Sequence, residues 1–195
     1  METLEISLLK HHVCFTNIKG LIIRIYKCKK IKSICRFVKW KFNYYSLVKP
    51  KKKYLYDELE AYKIKILRFI KFSFVCVDES KTKKTNTKQL KEKEYQQIQK
   101  KITPNDIVVI LDEKGKMFNS IDFASEIKSY INTGKKRIIF IIGGAYGLSK
   151  KFYDDFPIRI ALSRMTFSHQ LIRLFFCEQL YRAFTIINNH PYHNN

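Results

Sequence analysis

The stretch Ile138–His193, IIFIIGGAYGLSKKFYDDFPIRIALSRMTFSHQLIRLFFCEQLYRAFTIINNHPYH, decides how this 195-residue chain folds. It opens on an unbroken apolar run, Ile138–Ile142, short and rich in β-branched side chains, which predicts a strand buried on both faces. The run breaks directly into Gly143-Gly144-Ala145-Tyr146-Gly147. Glycine permits positive φ and lets another group approach the backbone closely. The turn therefore reads in two ways, as a tight strand-to-helix connection or as a cradle for a ligand. It is neither G-x-G-x-x-G nor G-x-x-x-x-G-K-[ST], so a dinucleotide fingerprint is weak and a P-loop is excluded. A second apolar segment, Ile158–Leu162, leads into the loop Ser163–Ser168, and a long apolar helix is expected from His169 to Ile187. Two loops at the carboxyl ends of adjacent strands are where open α/β sheets place ligands.

The rest of the chain alternates in the same way. Phe42–Val48 reads as a strand of aromatic and β-branched residues. Lys53–Phe69 reads as a helix with Leu55, Leu59, Tyr62 and Ile66 on one face. Phe72–Val77 is a second strand. Gln89–Lys101 is charged with sparse apolar residues, which predicts an exposed helix. Ile107–Leu111 is a third strand, opening into the polar turn Asp112-Glu113-Lys114-Gly115-Lys116. Ser120 or Asp122 can cap the helix that runs to about Asn132. This order implies an α/β domain over residues 40–195 with a mainly parallel sheet and helices on both faces.

Composition narrows the partners. The net charge is +21, which favours a polyanion, either nucleic acid or an anionic membrane surface. Residues 1–56 hold fourteen basic side chains against Glu2 and Glu5. A basic, acid-poor segment over residues 1–39 reads first as an organellar (mitochondrial or plastid) transit peptide, with an arm that binds RNA or is disordered as the alternative. No apolar run approaches the roughly 20 residues that span a membrane. The cysteines, Cys14, Cys28, Cys35, Cys76 and Cys177, are odd in number and form no C-x-x-C pair, which argues against a disulfide framework or a metal site.

Four motifs then occur in order: GGxxGLS at Gly143–Ser149, LSxMTFxHQ at Leu162–Gln170, EQLYRA at Glu178–Ala183 and HPYH at His190–His193. Together they resemble the SPOUT class of methyltransferases, and most of all its RlmH-type family, which methylates a pseudouridine of large-subunit ribosomal RNA at base nitrogen 3. The resemblance covers residues 41–193. It implies a C-terminal trefoil knot, one of the rare exceptions to unknotted connectivity, a homodimer packed through the last helix, and a large-subunit ribosomal RNA or assembled ribosome as partner. It implies S-adenosylmethionine as cofactor. Its site would be lined by Leu111 of the third strand's turn, by Gly143, Gly144 and Gly147, and by Leu162, Ser163, Arg164, Met165, Thr166 and Phe167. It makes His193 the proton acceptor, with Tyr192 positioning the base and with Arg182 and His169 as substrate contacts. Histidine suits that role because it exchanges a proton near neutral pH. Glu178 and Arg182, one turn apart, also read as a structural ion pair. The chain departs from the family pattern at Tyr95, commonly glycine, at Ser168, often proline, and in the extra Asn194-Asn195.

Overall fold

The computed structural model describes residues 41–46, 53–76, 86–144, 146–168 and 170–192. The elements run β1 (Lys41–Ser46), α1 (Lys53–Ile66), β2 (Lys71–Cys76), α2 (Thr87–Gln99), β3 (Asp106–Met117), α3 (Ser120–Asn132), β4 (Arg137–Ile142), α4 (Lys150–Asp155), β5 (Arg159–Ala161) and α5 (Leu171–Ile187). The expectations for residues 1–39, for His169 and for His193 lie outside the described residues. Among the described residues no helix is long and apolar enough to cross a membrane.

The five strands form one sheet in the order β2-β1-β4-β3-β5, all pairs parallel. Strand alternation sends successive side chains to opposite faces, and β4 shows it directly. Ile138, Phe140 and Ile142 enter one core with α1, α3 and α5, while Ile139 and Ile141 enter the other with α2 and α4. Both faces are therefore covered, as expected for a parallel sheet. Phe140 is fully buried between Phe42, with ring centroids 5.9 Å apart, and Phe176, 4.7 Å away. Truncating such a ring to alanine costs about 3–5 kcal/mol.

Four sequence expectations are corrected. First, β4 and β5 are not adjacent, because β3 lies between them. Second, the third strand does not stop at Leu111. Ile160 of β5 stands opposite both Leu111 and Lys116, so residues 112–115 rise out of the ladder as a bulge and β3 resumes to Met117. The polar composition of 112–116 marked the interruption but hid the resumption. Third, α2 is not simply exposed. Tyr95 and Ile98 lie on its inner face and are buried, and the Tyr95 hydroxyl donates to Asp155 of α4. Two apolar residues one turn apart are too few to stand out in a charged segment. The cap of α3 is also one residue earlier than expected: Asn119 Oδ1 accepts the Asp122 backbone N–H at 2.8 Å, and its amide donates back to the Asp122 carboxylate at 2.8 Å.

Two glycines are required by this geometry. A Cβ on Gly115 would lie 2.6 Å from the backbone carbon and nitrogen of Ile160, so only glycine lets the bulge close against β5. Gly147 has φ +70°, a conformation that L side chains rarely adopt, and its N–H closes the turn onto the Gly144 carbonyl at 3.0 Å.

Candidate active site

The carboxyl ends of β3, β4 and β5 converge on one cleft of about 780 Å³, within the range of small-molecule sites. Its first wall is the turn after β4, with Gly143, Gly144 and Gly147. The second is the loop after β5, with Leu162, Ser163, Met165, Thr166 and Phe167. The third is the bulge of β3, beginning at Leu111. All the residues expected in a cofactor cradle thus line one space, except Arg164, which is exposed and outside the lining. Arg164 belongs to the loop, but its side chain does not face the cleft.

The second wall is built to offer backbone groups. Among the described residues, the backbone N–H and C=O groups of Ser163–Phe167 pair with no other backbone group. The Met165 N–H turns onto Ser163 Oγ at 2.9 Å. Buried or ligand-facing backbone groups demand partners, and a flat heteroaromatic base supplies complementary donors and acceptors. Ser168 does not form the cleft alone: its hydroxyl also accepts the Leu171 N–H at 3.3 Å and so starts α5.

The third wall is fixed by a carboxylate. Asp112 Oδ1 accepts the Lys114 N–H at 2.8 Å, and Oδ2 accepts the Tyr153 hydroxyl of α4 at 2.6 Å. Burial first, and then this bond to Asp112, push the Tyr153 phenol well above its ordinary value, so it remains a donor. Glu113, next to it, reaches Thr166 of the second wall, whose hydroxyl lies 3.4 Å from Glu113 Oε2. Lys91, Lys114 and Arg159 are the cations of the rim. Sequence reasoning missed Tyr153 and Lys91. The Asp112–Tyr153 bond joins residues 41 positions apart, and no local pattern announces it.

The other expected residues lie elsewhere. Arg182 pairs with Glu178, Nη2 to Oε1 at 2.5 Å, as the one-turn spacing predicted. Its guanidinium stands 5.0 Å from the Tyr192 ring centroid, and Tyr192 Oη is 3.4 Å from the same Glu178 oxygen. Tyr181 meets Tyr192 edge-on at 4.8 Å. Tyr62 of α1 joins them; burial and then a hydrogen bond to Tyr192 push its phenol up to about 12. The cleft is lined by Ile172, at the start of α5. Arg182 is about 15 Å further along the helix at 1.5 Å per residue. One chain therefore does not bring Tyr192 and Arg182 to its own cleft.

An α/β sheet with this strand-end cleft and these motifs defines a class, and comparison with known families gives it directly. The family described as "Predicted SPOUT methyltransferase" matches residues 41–193, so the chain belongs to the SPOUT methyltransferase family. Its relatives make the affiliation narrower. A protein of Christiangramia forsetii called ribosomal RNA large subunit methyltransferase H is 48% identical over 147 residues, 75% of this chain and 94% of the relative. Proteins of the same name are 53% identical over 127 residues in Phocaeicola vulgatus (65% of this chain, 81% of the relative) and 44% over 147 residues in Flavobacterium psychrophilum (75% and 94%).

Proposed function

We propose that this chain methylates N3 of a pseudouridine in large-subunit ribosomal RNA, with S-adenosylmethionine as methyl donor and as a homodimer. The observation that carries the cofactor reading is the cleft itself, where the glycine turn, the Ser163–Phe167 backbone and the β3 bulge meet. The names of the relatives support ribosomal RNA as substrate. The charge of +21 suits that polyanion.

S-adenosylmethionine, when bound, supplies an electrophilic methyl group. The chain does the rest. Leu111, Leu162, Phe167 and Ile172 give the cleft apolar surface that excludes water. The backbone of the second wall orients the ligand, and orientation supplies much of the rate. The base nitrogen must shed its proton as it attacks, and His193 is the acceptor we assign, next to Tyr192 in the tail.

The separation of tail and cleft in one chain favours a dimeric site. Leu171, Phe175, Glu178 and Arg182 recur at spacings of four, three and four and so share one face of α5. Leu171 and Phe175 are 47% and 45% exposed, although apolar. Two copies of α5 packed antiparallel along this face would cover both side chains. The same two-fold packing would carry the partner's tail toward the cleft. We propose as well that the C-terminal segment threads into a trefoil knot, and that residues 1–39 direct the protein to an organelle. A fluorescent fusion of residues 1–39 that stays in the cytosol refutes the second.

Calorimetric titration of S-adenosylmethionine into the wild type and Gly144→Trp tests the cofactor site. Saturable binding abolished in the variant is the expected result. A folded wild type that binds nothing would instead leave an RNA-binding protein without catalysis.

A further inference from the structure

The cleft contains two carboxylates in a chain with 38 basic and 17 acidic residues. They are not equivalent. Both oxygens of Asp112 are used at short range, by the Lys114 N–H and the Tyr153 hydroxyl, which makes it the strut of the bulge. Glu113 is different. Its carboxylate is exposed and lines the cleft, and its single hydrogen bond among the described residues is from Thr166 Oγ1 at 3.4 Å, the long limit of such a bond. Among the described residues no lysine or arginine is in ion-pair contact with it. An ionised carboxylate accepts about four hydrogen bonds, so Glu113 has most of its acceptor capacity directed at a space bounded by the second and third walls.

We infer that Glu113 is the cleft's receptor for the α-ammonium group on the amino-acid tail of S-adenosylmethionine, a role that rests on the cofactor reading above. The tail is zwitterionic, and the rim matches it: one open carboxylate for the ammonium, and the separate cations Lys91, Lys114 and Arg159 available to the tail's carboxylate. An open carboxylate at this position disfavours ligands that would set a phosphate against it, since like charges repel. Glu113 would therefore help set which adenosine derivatives the cleft accepts. Its contact with Thr166 gives it a second consequence, because an occupied Glu113 is held between two walls rather than one.

Glu113→Gln isolates the charge, since the amide oxygen still accepts from Thr166. Full-length wild type and variant are titrated calorimetrically with S-adenosylmethionine, with S-adenosylhomocysteine, which keeps the ammonium but lacks the positive sulfur, and with 5′-methylthioadenosine, which lacks the tail. The inference predicts that the first two weaken by a similar factor, about tenfold for one charge-assisted hydrogen bond, while the third stays within about twofold. Unchanged methylthioadenosine binding also shows that the cleft is intact. Weakening of S-adenosylmethionine alone would mean that Glu113 faces the sulfonium and would overturn the assignment. Equal weakening of all three would reduce Glu113 to a part of the wall, and no weakening would remove it from recognition. If the wild type binds none of the three, the cofactor reading itself falls.

Discussion

Gly115→Ala tests the geometry of the cleft at its tightest point. The new Cβ would stand 2.6 Å from the backbone carbon and nitrogen of Ile160 and 2.7 Å from the backbone carbon of Arg159. Carbon atoms rest about 3.5–4.0 Å apart, so β5 must retreat from β3 by about 1 Å, and backbone atoms cannot rotate aside as a side chain can. Overpacking of this kind costs about 1–3 kcal/mol. In a domain of this size each kcal/mol lowers Tm by about 2–4 °C, so a drop of about 2–12 °C is expected. Function should suffer more than stability. β5 leads into the second wall, and a shift of about 1 Å between the walls that hold a ligand can cost up to about 100-fold in its use. Thermal unfolding by circular dichroism and calorimetric titration of S-adenosylmethionine read the two effects. A Tm within about 1 °C of the wild type, with affinity within about twofold, would refute the close approach of residue 115 to β5 and the joint construction of the two walls.

Other consequences follow from other parts of the molecule. Asp106, its side chain 3% exposed, accepts from Arg137 Nε at 2.9 Å, Arg137 Nη2 at 2.6 Å and the Thr103 N–H at 2.7 Å. Burial opposes its ionisation, but these donors outweigh it and hold the carboxyl below its ordinary value. Its stabilisation is thus complete above the unfolded carboxyl's range, near pH 4, and is lost as pH falls through the lower folded value. Asp106→Asn should cost about 2 kcal/mol at pH 7 and flatten the acid limb of urea midpoints measured from pH 7 to 3; an unchanged limb would contradict this. Phe175→Asp, on the exposed edge of α5, should convert a dimer to monomers in light scattering with little loss of Tm, and a persistent dimer would move the interface elsewhere. Co-expressed chains carrying Gly144→Trp and Tyr192→Ala should recover about a quarter of wild-type methyl transfer, because half the dimers are mixed and each holds one intact composite site. No recovery would place cleft and tail function in the same chain.

The sequence was most legible where burial repeats. The continuous runs Ile107–Leu111 and Ile138–Ile142 announced parallel strands, and Leu55, Leu59 and Ile66 announced the buried face of α1. The lining of the cleft was legible through motifs, since the glycine turn after β4 and the Leu162–Phe167 loop stood out as residue patterns and both line one space. What escaped was long-range. That β3 would separate β4 from β5, and that its bulge would resume pairing at Lys116, depends on contacts no local pattern encodes. The strut between Asp112 and Tyr153 escaped for the same reason. The tail motif placed Tyr192 with the site, whereas within one chain it packs on Tyr181 and Arg182.

The most direct test is methyl transfer itself. Large ribosomal subunits lacking the modification are incubated with the full-length protein and S-adenosylmethionine carrying a labelled methyl group, and the RNA is digested to nucleosides for mass spectrometry. One labelled nucleoside, a pseudouridine methylated on N3, is expected from the wild type and is lost with Gly144→Trp. Label on a different nucleoside would contradict the proposed target, and no label from a protein that binds S-adenosylmethionine would contradict the proposed reaction.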